Sequence, residues 1–371
     1  MHYKTFLQYS FLLLVLFVTA CSDPEMPVTK EEAKAIAKSL TESIAQRKAG
    51  RLTELIDLDA LEKRIREQSQ SNLNESMLKG AMNSMRSGEF GQQIVKSLGK
   101  KGTYELVKQY EKNNHQHLVF RMYDETLGYH DFELIKKKDK VKIADIYIYI
   151  SGENLSATLA QSLQSMSELP AGAIDVEKKD LEKVQLIKSC INRKDFERAN
   201  ELYKTLPGIL RAQKLYKIID IQIASGLGTD EYLAALNKFQ QEYPNAPNMY
   251  LLMIDAYFLK KDYPGALQCV NSLDSLINKD PFLDYYRAVI HKENGDHATQ
   301  LVCLERLHQN LPDFGAGTLE LIYAYVEEKQ LDKAMALTKL YSKSKNADTE
   351  TIENLYLLHP DFKKKMEAVI D

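Results

Sequence analysis

Tryptophan is absent from this 371-residue chain, which argues against the stacked-indole platforms used by many sugar-binding proteins. Glycine and proline are scarce, at 16 and 10 residues, while apolar residues make up 44%, so a disordered or low-complexity body is excluded. The formal net charge is −3, which leaves no global basic field to attract nucleic acid. Cysteine occurs four times, never as CxxC, and a disulfide framework is not expected. Cys190, Cys269 and Cys303 fall in helical patterns and read as small apolar fillers. The GxSxG, HExxH, P-loop and GxGxxG patterns do not occur, so the expectation is no enzyme, no cofactor and no bound metal. The length exceeds what one core usually serves, and two domains are expected.

Residues 1–20 hold one formal charge, Lys4, ahead of an apolar run over 11–18. That run is shorter than the ~20 residues of a membrane-spanning helix. A charged start, a short apolar stretch and small residues before Cys21 read as a signal peptide. The segment resembles a bacterial lipoprotein signal. The resemblance implies that residues 1–20 are removed, that Cys21 is the lipidated residue, and that residues 21–28 form a linker. Ser22 after the cysteine, where Asp would imply inner-membrane retention, implies the outer membrane, on its periplasmic or surface face. The alternative is an ordinary signal peptide with an incidental cysteine.

Residues 29–150 read as an α+β module. Thr29 and Glu32 fit a capping box, and Ala33, Ile36, Ala37, Leu40 and Ile44 follow at helical spacing. Further helices are expected over about 52–68 and 75–98, the latter punctuated by Gly80, Gly88 and Gly91. After Gly102 the period becomes two: Leu118, Phe120 and Met122, then Phe132 and Leu134, then Ile146, Ile148 and Ile150. This predicts an antiparallel meander of about four strands, with turns at 113–114, 126–128 and 136–140. Helices followed by such a sheet suit an NTF2-like or cystatin-like cone, by analogy of layout. His115 and His117 read as exposed turn histidines, since nothing completes a metal set. The lysines at 136–138, 140 and 142 read as a solvated hairpin tip. Asp145, among apolar strand residues, starts a strand, ends one or marks a bulge. Residues 151–179 are assigned to a helix and linker, with the domain boundary at 169–173.

From about residue 180 a 34-residue step recurs. Tyr250 and Tyr257 precede a turn at 260–263, and Ala266 follows. The turns at 294–296 and 329–330 repeat it, the latter ahead of Ala334, and Asp195-Phe196 ahead of Ala199 forms an earlier counterpart. Pro244, Pro281 and Pro312 close second helices. This pattern resembles the tetratricopeptide repeat, in which two short helices alternate and a small residue sits where they touch. Gln300 stands at the small position of one unit, which suggests a register shift around Ala298. About five units over 180–345 are expected, three well formed, then a capping helix over 346–371. The resemblance implies an all-α solenoid whose first helices line a partner-binding groove. Lys188, Asp255, Phe258, Tyr285, Lys292 and Tyr323 fall on that face.

The expectation is a lipid-anchored envelope protein that binds envelope or surface proteins as a scaffold or tether. A glycan- or solute-binding outer-membrane lipoprotein is the second reading. An enzyme with its site in the α+β module is the third.

Overall fold

The computed structural model describes residues 26–69, 73–99, 101–124, 126–167, 174–244, 249–344 and 347–368. The targeting segment, Cys21 included, lies outside the described residues.

The first helix, α1 (Lys30–Ala45), starts as its sequence dictates. Glu32 N–H donates to Thr29 Oγ1 at 3.2 Å and Thr29 N–H donates to Glu32 Oε2 at 2.9 Å, closing the capping box. One long helix was expected over 52–68, but two form: α2 (Gly50–Leu55) and α3 (Leu58–Gln68). The break has a tertiary cause. Ile56 forms a parallel bridge with Ile143, and Asp57 donates its N–H to the Ile143 carbonyl at 2.8 Å. Asp57 then caps α3 by accepting from Ala60 N–H, also at 2.8 Å. Gly88, at φ 84°, divides the next stretch into α4 (Glu75–Ser87) and α5 (Glu89–Ser97). Glycine is required there twice over: the backbone is left-handed, and a Cβ would stand 2.7 Å from Thr53 Oγ1.

Five antiparallel strands follow in sequence order: β1 (Thr103–Lys112), β2 (His115–Tyr123), β3 (Leu127–Lys137), β4 (Lys140–Ile148) and the short β5 (Glu153–Asn154). Asn113-Asn114 and Lys138-Asp139 turn the first and third hairpins with both central φ angles positive, the twist that matches the strands. Alternation gives the sheet two apolar faces. Leu118, Phe120, Phe132 and Leu134 enter a core with α1, α3 and α4. The β3–β4 register shifts between Glu133 and Leu134, so Asp145 lies at a bulge. From there Asp145 Oδ1 accepts from Ser156 N–H at 3.2 Å, at the start of α6 (Leu155–Ser167). Leu155, Ala160 and Leu163 of α6 join the same core, so the first unit packs as far as α6; the boundary expected at 169–173 lies outside the described residues.

The rest is helical: α7 (Ile174–Asn192), α8 (Phe196–Lys204), α9 (Gly208–Ala212), α10 (Lys214–Leu227), α11 (Thr229–Glu242), α12 (Met249–Leu259), α13 (Tyr263–Leu276), α14 (Leu283–Glu293), α15 (His297–Asn310), α16 (Gly315–Glu327) and α17 (Leu331–Tyr341). An α+β unit therefore precedes an all-α region. From α10 to α17 each helix packs chiefly on its neighbours in sequence.

One turn recurs in this region. Lys194, Lys261, Gly295 and Lys329 are left-handed, with φ of 61°, 59°, 75° and 58°. The last three lie 34 residues apart. The next residue in each case donates its N–H five residues back, at 2.8–2.9 Å: Asp195 to Cys190, Asp262 to Tyr257, Asp296 to His291 and Gln330 to Tyr325. This closes the first helix by the Schellman pattern. Asp195, Asp262 and Asp296 then cap the second helix with their side chains.

Gln300 is in register after all. Like Ala266 and Ala334 it stands four residues past the capping position, and all three are buried, at 2%, 0% and 0% exposure. Twelve residues earlier stand Ile254, Ala288 and Ile322, also buried. Each hairpin thus combines one large and one small residue at these positions, and the middle hairpin reverses them. That exchange explains how Gln fits where Ala is usual.

The single capping helix expected at the C-terminus is two, α18 (Thr349–Leu358) and α19 (Pro360–Glu367), parted at His359. Pro360 occupies the first turn of α19, where its missing N–H is harmless.

The outer face of the sheet is not left to solvent. Val119, Leu127 and Tyr129 share a core with Ile218 and Ile221 of α10, Leu252 and Met253 of α12, and Phe282 before α14. The sheet therefore lies between the N-terminal helices and the helical region.

Candidate functional site

A buried ion pair fixes the sheet on the helices. Arg121 of β2 and Asp280, between α13 and α14, are 4% and 2% exposed. Arg121 Nη1 donates to Asp280 Oδ1 and Oδ2 at 2.7 and 2.9 Å. Tyr129 Oη donates to Oδ2 at 2.9 Å, and Asp280 Oδ1 also accepts from Phe282 N–H at 3.0 Å. The Arg121 guanidinium lies 4.4 Å from the centroid of the Phe282 ring. Beside it Tyr123 packs on Phe282 and Phe314, and Tyr285 packs on the same two rings.

Next to this junction a cavity of about 680 Å³ opens between the β2–β3 turn of the sheet and helices α10, α11, α12 and α14. Leu251, Leu252, Ile221 and Leu227 supply apolar walls, and Tyr232, Phe258 and Tyr286 supply rings. Asp255 is the one carboxylate among the lining residues, and no Lys or Arg is among them. Tyr232 Oη donates to Asp255 Oδ2 at 3.2 Å. Asp255 and Leu259 are exposed, which places the mouth at their end of α12. Elsewhere protein crowds the carboxyl group, and this desolvation raises its pKa against the Tyr232 hydrogen bond. A second depression, about 800 Å³ on α12 and α13, is broad and shallow and is lined by no ionisable group other than the Tyr250 phenol.

The six residues assigned to a groove divide among several settings. Asp255 and Phe258 share the cavity. Tyr285 belongs to the aromatic cluster at the sheet. Lys292 of α14 pairs with Glu320 of α16 at 3.2 Å, and Tyr323 of α16 donates its hydroxyl to the Thr351 carbonyl at 3.3 Å. Lys188 is half-buried on α7, and burial lowers its pKa. Sequence reasoning missed Tyr232 and Tyr286, because nothing in their spacing relates them to Asp255.

The histidines at the first hairpin are half-buried and paired, not exposed. His115 Nδ1 meets Glu133 Oε1 at 2.5 Å, and Arg64 binds Glu133 through two bonds of 2.6 and 2.7 Å. His117 Nδ1 lies 3.1 Å from Asp131 Oδ1, and the Tyr110 hydroxyl donates to Asp131 Oδ2. Burial works to raise the Glu133 pKa, but the Arg64 hydrogen bonds and charge, with His115, hold it down at about 2. Their partners lie across the strand pairing, at positions that local spacing cannot reveal. No group of three His, Cys, Asp or Glu among the described residues is arranged to hold a metal ion. The hairpin lysines also find partners: Lys136 on Glu32 at 2.8 Å and Lys137 on Asp57 at 3.0 Å. Among the described residues no helix is long and apolar enough to cross a membrane.

No protein-family model and no curated protein matches the chain.

Proposed function

We propose that this chain is a lipid-anchored, non-enzymatic protein of the bacterial cell envelope that binds partner proteins through a stack of tetratricopeptide-like hairpins. The observation that carries the reading is the turn repeated at Lys261, Gly295 and Lys329, with the matched large and small residues around each. Such units cannot bury their apolar stripes alone, so they stack, and stacking leaves an extended face for a ligand. The sheet already covers α10, α12 and the start of α14 on one side. The free stretch is therefore the end of that face, around Lys292, Glu320 and Tyr323. Its half-buried aromatic and paired charges suit a protein surface. The N-terminal unit, helices preceding a meander, is read as NTF2-like or cystatin-like in layout and as the spacer between anchor and stack.

The anchor is tested by growing cells on a labelled fatty acid. The full chain takes up label, and Cys21→Ala takes up none. Equal labelling of the variant contradicts the anchor.

A further inference from the structure

We propose that the cavity between the sheet and α10–α12 binds an organic cation, an ammonium or guanidinium carried on an apolar stem. This goes beyond the adaptor reading and stands on the cavity alone.

The volume, about 680 Å³, falls within the roughly 300–1,000 Å³ of small-molecule sites. The charge inside is of one sign. Asp255 lines the cavity without a Lys or Arg beside it, and among the described residues its carboxylate is bonded by Tyr232 alone. Tyr232 satisfies Oδ2 with one hydrogen bond, and no described donor reaches Oδ1. A carboxylate at the mouth of the cavity, with one hydrogen bond and no cationic neighbour in the lining, is the group a ligand bearing positive charge would pair with. The walls make the same selection. Tyr232, Phe258 and Tyr286 line the cavity with aromatic rings, the groups that attract a cation, and Leu251 offers apolar surface for its stem. An anion would meet an unneutralised carboxylate, and a neutral apolar ligand would desolvate Asp255 without replacing its lost hydration.

The chemistry has two sources, a free aliphatic amine or the Lys or Arg side chain of a peptide. Calorimetric titration of the purified full-length chain separates them, with hexylamine, the peptide Gly-Gly-Lys-Gly-Gly, hexanol and hexanoate as probes. At least one of the two cationic probes binds, while hexanol and hexanoate do not. Tighter binding of hexylamine assigns a small solute, and tighter binding of the peptide assigns a partner side chain. Asp255→Asn weakens the bound cation on the order of tenfold or more. Asp255→Glu retains much of the affinity, and Asp332→Asn, on the far α17 surface, leaves it unchanged. Circular dichroism of each variant establishes that it is folded. The proposal is overturned if neither cation binds, if hexanoate binds as well as hexylamine, or if Asp255→Asn binds the cation undiminished.

Discussion

Arg121 carries a charge into the junction between sheet and helices, and Asp280 answers it within a shell of hydrogen bonds. Such a pair is worth little relative to an apolar pair of the same size, but breaking it leaves the buried Arg121 charge with the half-exposed Glu105 carboxylate as its remaining ionic partner. Asp280→Ala should therefore cost about 3–5 kcal/mol in denaturant unfolding. Arg121→Met combined with Asp280→Leu should recover much of that loss. If the double variant is no better than the single, the cost lies in packing and not in the stranded charge.

His130 makes a second residue-scale case. Burial lowers its pKa to about 4, among the Phe90, Tyr104 and Phe132 rings, with the Tyr104 hydroxyl 3.0 Å from Nδ1. The folded value lies below the ordinary 6.5, so the neutral ring is what the fold accommodates. Its stabilising contribution is complete above pH 6.5 and fades as pH falls from 6.5 toward 4, by roughly 3 kcal/mol in all. His130→Gln should flatten the stability profile across that window. Parallel profiles for the two proteins would show that another group governs it.

At the scale of the element, the hairpin is built from two local devices, a left-handed turn closed by a capping side chain and a large–small pair further along. The reversal at Ala288 and Gln300 yields a coupling. Ala288→Ile alone overpacks, by ~1–3 kcal/mol. Joined to Gln300→Ala it reproduces the Ile–Ala pair of the units on either side, and the double-mutant cycle should show a favourable interaction of about 1 kcal/mol or more. Additive losses would mean that the two positions do not share space. These local devices are also the part that sequence makes legible. The capping box of α1, the break at Gly88, the strand alternation and the 34-residue turns all depend on residues close together along the chain. The parting of α2 from α3 depends on Ile143, far along the chain, and no periodicity near Ile56 announces it. The division between α18 and α19 had a local sign in Pro360, a residue suited to the first turn of a helix. The partners of His115 and His117 became visible once the strand register was fixed.

For the whole molecule, the arrangement differs from two units in series. The meander is covered on both faces, by α1–α6 on one and by α10–α14 on the other, so the face expected to be open along the stack is partly occupied by the chain itself. This placement divides the expected groove residues: Asp255 and Phe258 go to a cavity, Tyr285 to the sheet junction, and Lys292 and Tyr323 to the stretch left over. Site-specific photocrosslinking in cells tests the adaptor account most directly, with the photoreactive residue placed in turn at Lys292, at Tyr323 and at Tyr285. The account predicts a reproducible protein adduct from Lys292 and Tyr323, and none from Tyr285, which the sheet already covers. No adduct at the first two positions, or one from Tyr285 alone, would contradict it.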